Sequence, residues 1–310
     1  MDGSGLYDCS VFDACPRLPP AHKRSKSDRD IDAIGHRQIV NKGLIFHSPK
    51  KEKEEGDKLS AVFDHVSPIV RDQPITDYLE RVAQRVAGNS DATVPIAVRV
   101  VDSDKVEAST LPGYVYVTRG LLLKMQNEGE LASILAREIA HTALRTWARL
   151  QTIGFFPQTF IPTIQQTNGG SGPVGAEMNS FLLISWERYF ETDADYFGVQ
   201  YVYKAGYDTD CFLSAIQNAS PPDSDKVAKA YSPFPPLRER LKDIQGEISE
   251  ILPKRGGAVV SSPEFAEFQE CLHSLPPVQS DPMSKGLHRA PQVDTDPMPK
   301  LLRRDPQASD

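Results

Sequence analysis

Residues 137–141 read Arg-Glu-Ile-Ala-His, one position away from the zinc-protease pattern His-Glu-x-x-His. In that pattern two imidazoles sit one helical turn apart on the same face, and the Glu between them activates a metal-bound water. Glu138 and His141 are in place. Arg137 stands where the first imidazole belongs, and a guanidinium has no lone pair to give a metal and keeps its charge. A zinc site of this type takes a third protein ligand from elsewhere in the chain, often a Glu. Downstream, Glu191-Thr-Asp-Ala-Asp195 puts Glu191 on a separate helix that can face the first, a candidate for that position. Asp195 lies one turn further on, where a carboxylate can orient a metal-bound imidazole.

These residues need two facing helices and a strand beside them. Asn127 with Glu130 three residues on is an N-cap arrangement, and the apolar stripe Leu131, Ile134, Leu135, Ile139 predicts a helix from Glu128 to about Leu150. A second long helix is predicted over Phe181–Ala205, stopped by Gly206. Upstream, helices are predicted over Asp57–Val70 and Ile75–Val86, the latter with Pro74 in its first turn. Strands are expected at Val94–Val101 and Tyr114–Thr118, with Leu111-Pro-Gly as a turn. Shorter helices follow at Asp208–Ala219, Leu237–Ile248 and Pro263–Leu275. Residues 152–179 read as a long loop, apolar at first (IGFFPQTFIP) and then Gly-rich. The apolar part is either folded onto the core or a lid that meets a membrane or partner around residues 152–162.

The bulk numbers bound the rest. A chain of 310 residues with 39% hydrophobic content holds a real core. A net charge of −7 argues against nucleic acid as a partner. The four cysteines make no Cys-x-x-Cys pair, and Cys9 and Cys15 are either a small disulfide or free thiols. No stretch reaches the ~20 apolar residues that span a bilayer, and the first residues lack the basic-then-apolar layout of a signal peptide. The chain is therefore expected to be soluble, with oligomeric state open. Residues 1–30 read as a disordered tail, 31–275 as one domain, and 276–310 as a disordered Pro-rich tail. Within that last tail Asp281–Gln292 recurs as Asp296–Gln307, a two-copy 15-residue repeat.

Three segments in order, LPGYVYVTRGLL, NEGELASILAREIAHTALR and ERYFETDADYFGVQYVYKAGYD, resemble the HtpX-like and CAAX-prenyl-protease-like zinc metallopeptidases (metallopeptidase family forty-eight, gluzincins), over roughly residues 55–245. The resemblance implies an α+β, mostly helical, zincin-like metallopeptidase domain. Its small sheet would have an edge strand facing the active-site helix. It implies a zinc cofactor and endopeptidase activity, usually at a membrane or in the bacterial envelope. Glu138 then matches the catalytic base, His141 and Glu191 two zinc ligands, and Asp195 the outer carboxylate. Leu111, Pro112, Gly113, Tyr114 and Val115 match the strand that pairs with an extended polypeptide substrate, taken as an edge over Leu111–Val117. Three positions depart from the pattern: Arg137, Phe234 in place of a histidine, and Glu107 in place of an Asn.

Charge decides how much Arg137 matters. At about 4 Å and an effective dielectric of ~20, unit charges interact by roughly 4 kcal/mol, so Arg⁺ beside Zn²⁺ costs on the order of 8 kcal/mol. Full structural zinc sites bind with only ~10–16 kcal/mol. The guanidinium is instead expected to pair with Glu191 or Asp195 and bridge the two helices. Three readings follow: a metalloendopeptidase impaired or inactive at this site, a non-catalytic peptide- or partner-binding pseudopeptidase, and an active peptidase with a weakly held metal on His141 and Glu191.

Overall fold

A computed structural model describes residues 24–40, 45, 47–152, 173–220, 232 and 234–278, with the backbone alone over 173–183. The described residues up to Leu275 form one compact unit. The repeat in 281–307, most of the apolar segment 152–162, and Cys9 and Cys15 lie outside the described residues.

The chain runs through α1 (Pro49–Val66), β1 (Ile69–Val70), α2 (Gln73–Ala87), β2 (Ala97–Val101), β3 (Ala108–Leu111), β4 (Tyr114–Thr118), α3 (Arg119–Leu122) and α4 (Glu128–Ala143). A short helix α5 follows over 146–152. Then come α6 (Pro173–Lys204), α7 (Asp210–Ala219), α8 (Leu237–Glu250) and α9 (Pro263–Ser274). The mostly helical domain with a small sheet is as expected.

Local chemistry sets most boundaries. The Asp72 side chain accepts from the Ile75 amide at the start of α2, and Ile75, Tyr78, Leu79, Val82 and Val86 are all buried on its inner face. Asn127 Oδ1 accepts from Glu130 N at 2.8 Å, and Glu130 Oε2 accepts from Gln126 N, a reciprocal cap that starts α4. Nearly every residue of α4 is buried, so it is the central helix. It packs against α6, α7, α2 and β3. A Cβ at Gly198 of α6 would press on Phe212 and on the Cα of Arg137, so the glycine lets α6 approach α4 beside the candidate site.

The four-stranded sheet has the order β1-β2-β4-β3, with β2 and β4 parallel and the other pairs antiparallel. Pro112 and Gly113 turn β3 into β4, and Gly113 takes φ +82°, the value a type II turn needs at its third residue. This order corrects the expected edge. Tyr114 and Val115 belong to β4, paired on both sides, so their backbone groups are already used in the ladder. The edge beside α4 is Ala108–Leu111.

Other boundaries moved for identifiable reasons. Helix α1 begins at Pro49, earlier than expected, because Ser48 caps it and Pro49 suits its first turn. It ends at Val66, since Pro68 leads into the strand Ile69–Val70. Helix α6 reaches back to Pro173, into the stretch read as loop. Helix α4 stops at Ala143 rather than near Leu150, and Arg145 takes φ +53°. Residues 24–30, assigned by their polarity to a tail, carry a 3-10 turn at Ser27–Arg29 with Asp28 buried. Close behind, Arg37 donates to Asp91, Gln200 and the Asp28 carbonyl, which composition alone does not reveal.

Candidate functional site

The site lies where α4, α6, α8 and the edge strand β3 meet. Helical spacing puts Arg137, Glu138 and His141 on adjoining faces of α4, and Glu191 and Asp195 one turn apart on α6. The structure brings all five together. Arg137 is 8% exposed. Its Nη1 lies 3.0 Å from Glu138 Oε1 and its Nε 3.1 Å from Asp195 Oδ1. Its Nη2 is ion-paired with Glu191 Oε2. The guanidinium thus bridges the two helices, touching both Glu191 and Asp195 where a pairing with one or the other was expected.

Glu138 has both side-chain oxygens engaged. Arg137 holds Oε1, and Thr110 Oγ1 of β3 donates to Oε2 at 2.7 Å. His141 Nε2 stands 3.5 Å from Glu191 Oε1, and its Nδ1 is 3.3 Å from Thr146 Oγ1. Burial pushes the His141 imidazole down to about 4; the Arg137 charge adds to this against the pull of Glu138. It is neutral at pH 7. Burial also pulls the Arg137 value down, opposed by Glu138 and Asp195, and an arginine so surrounded keeps its proton.

Three contributors were not foreseen. Arg240 of α8 grips Asp195 with two hydrogen bonds, Nε to Oδ2 at 2.7 Å and Nη2 to Oδ1 at 2.8 Å. Thr110 and Thr146 complete the surroundings of Glu138 and His141. Strand alternation was the one available signal: Thr110 pairs with Val115, which faces the core. Arg240 carried no signal beyond its helix. Phe234 does reach the site, with its ring 5.2 Å from the Cζ atoms of both Arg137 and Arg240. Glu107 instead lies just before β3, where its amide donates to Thr118 Oγ1 and its carbonyl accepts from the Thr118 amide. Leu111, Pro112 and Gly113 lie at the hairpin end of the edge.

The donors present do not fit a zinc ion. His141 and Glu191 are two ligands where three are needed, and Glu191 is already bound to a cation. The place of the third ligand holds a guanidinium. Among the described residues no group of three or more His, Cys, Asp or Glu converges as a metal site. Side chains so arranged give zinc no adequate seat.

A family model described as Peptidase family M48 matches residues 72–248. The chain is 28% identical over 233 residues to a putative beta-barrel assembly-enhancing protease of Vibrio cholerae, covering 70% of this chain and 45% of that protein. It is 24% identical over 202 residues to the beta-barrel assembly-enhancing protease of Yersinia pestis, covering 60% and 42%. It is 27% identical over 287 residues to mitochondrial metalloendopeptidase OMA1 of Schizosaccharomyces pombe, covering 89% and 75%. The chain spans less than half the length of the two assembly-enhancing proteases.

Proposed function

The chain belongs to peptidase family M48, and from that premise we propose a metalloendopeptidase domain whose hydrolytic site an arginine has closed. Membership supports a metalloprotease ancestry, a metal cofactor in the family, and polypeptide substrates. The observation that carries the proposal is the Arg137 guanidinium seated between Glu191 and Asp195. It takes the carboxylate that would ligate zinc and the one that would orient a ligand. It also occupies one oxygen of Glu138, the residue that would otherwise take a proton from water. The protein's own cation neutralises the two helices in the metal's stead.

A second reading rests on the sheet. Strand Ala108–Leu111 is an edge, with one row of backbone groups unpaired in the sheet. It runs beside α4, and its Thr110 is fixed on Glu138. These features support capture of an extended polypeptide by strand addition without cleavage. The names of the relatives speak of beta-barrel assembly and of mitochondria, and we place this chain by proposal near a membrane. Among the described residues no helix is long and apolar enough to cross one.

Hydrolysis of fluorescent casein by the purified chain, with zinc supplied, tests the proposal. Turnover at the level of a no-protein control is expected. Turnover that a chelator abolishes would overturn it in favour of a weakly held metal on His141 and Glu191. Binding of an unfolded peptide by metal-free protein is the expected mark of the capture reading.

A further inference from the structure

Residues 139–152 contain neither Gly nor Pro, and their intrinsic preference is one continuous helix. The chain breaks there all the same. Leu144 ends α4 with its amide on the Ala140 carbonyl, and Arg145 then turns left-handed at φ +53°. It is the one non-glycine residue with positive φ among the described residues. Such a conformation is unfavourable for a residue with a Cβ and persists only where the surroundings impose it.

The surroundings are α1 and the residue just before its cap. Arg145 Nε donates to Glu52 Oε2 at 2.7 Å, and Arg145 Nη2 donates to the His47 carbonyl at 2.7 Å. Glu52 is buried in the first turn of α1. The His47 ring meets Trp147 edge-on, with centroids 5.5 Å apart. Helix α1 is itself fixed to the sheet. A Cβ at Gly56 would run into the Pro112 carbonyl, and Tyr116 Oη donates to Asp64 Oδ1 and shares a hydrogen bond with the Ser60 hydroxyl. Helix α1 lies outside the residues that the family model matches.

The consequence appears one residue later. The left-handed step at Arg145 folds Thr146 back so that its Oγ1 shares a hydrogen bond with His141 Nδ1. In an unbroken helix residues 141 and 146 are five apart, off the three- and four-residue spacings at which side chains meet. The step also interrupts the backbone ladder between α4 and α5. Among the described residues, none of the Thr146, Trp147 and Ala148 amides donates to a backbone carbonyl. A continuous helix would supply all three with partners.

We propose that Arg145 is a positioning residue: clasped by Glu52 and His47 of the α1 region, it holds α4 broken and thereby sets the orientation of His141 through Thr146. Releasing the clasp lets α4 and α5 fuse and withdraws Thr146 from the imidazole. The inference stands whether or not the site hydrolyses peptides.

Three variants of the full chain separate the parts. Arg145→Ala removes the clasp and favours the fused helix. Glu52→Ala keeps the arginine and removes its anion. Arg145→Gly removes the clasp, yet glycine adopts positive φ freely and resists helix. In the first two, hydrogen exchange at the Thr146, Trp147 and Ala148 amides is expected to slow by about tenfold or more relative to wild type. In Arg145→Gly it should stay at the wild-type rate. General destabilisation speeds exchange, so it cannot imitate the slowing. A fourth variant, Thr146→Val, serves as reference: the His141 imidazole nitrogen resonances should match wild type in Arg145→Gly and move in Arg145→Ala to the positions that Thr146→Val gives. Wild-type exchange in both Arg145→Ala and Glu52→Ala, or Arg145→Gly behaving as Arg145→Ala does, overturns the proposal.

Discussion

Arg137→Met removes the bridging cation and keeps most of the side chain's length. Three carboxylates then lose the Arg137 cation: Glu138 at 3.0 Å, Asp195 at 3.1 Å, and Glu191 in contact. At about 3 Å and an effective dielectric of ~20, each close pair is worth roughly 5 kcal/mol before desolvation. Desolvating the guanidinium returns several kcal/mol, and deleting one partner of a buried ion pair costs about 3–5 kcal/mol net. Arg240 still holds Asp195 through two hydrogen bonds, so the burden falls on Glu138 and Glu191. For a domain of this size a loss of that order lowers Tm by about 10 °C. Urea unfolding followed by tryptophan fluorescence, beside a thermal scan, gives both numbers. The deficit should persist at high salt, since the pair is buried and poorly screened. A loss under about 1 kcal/mol, within reach of an ordinary surface substitution, or a gain in stability would refute the claim that Arg137 ties the helices together.

Other outcomes follow from the same physics. Arg37→Met should cost about 3–5 kcal/mol by urea unfolding, because it strands the buried Asp91 carboxylate; a neutral result would mean that the 24–40 segment is not part of the fold. Glu128 is buried; its burial raises the carboxyl pKa, but hydrogen bonds from Ser262, Tyr207 and Tyr78 outweigh this and hold it below the usual value. Its stabilising contribution is therefore full above the unfolded-state value of about 4.3 and fades as pH falls below it. Glu128→Gln should flatten that acid limb of a stability-versus-pH curve and leave the alkaline limb alone. Arg137→His rebuilds the His-Glu-x-x-His pattern opposite Glu191 and should bring about one zinc per chain by elemental analysis; no uptake would show that the surroundings, Phe234 and Arg240 among them, no longer accept a metal.

Much of the site could be read from spacing, because its pieces obey local periods. Glu138 and His141 share a helix, Glu191 and Asp195 share another, and a period of 3.6 residues is enough to align them. The Asn127 cap and the stripe of α2 were legible for the same reason. What escaped depends on distant partners. Arg240 looks like any helical arginine until α8 docks and brings it to Asp195. The rank of strands in a sheet is non-local, so Tyr114 and Val115 passed for an edge although β3 covers them. The break at Arg145 defies local preference outright, and only contacts from α1 explain it. Residues 24–40 look polar on average, yet the Arg37 side chain among them is sealed from solvent. Composition averages cannot register one ion pair sealed from water.

The central claim is that the chain's own guanidinium stands in place of a metal. Zinc stoichiometry addresses it most directly: saturate the purified wild-type chain with zinc, remove free ion by desalting, and count metal by mass spectrometry. With two protein ligands and an adjacent cation, occupancy should stay below about one zinc per ten chains. A value near one per chain, lost in Glu191→Gln, would contradict the account.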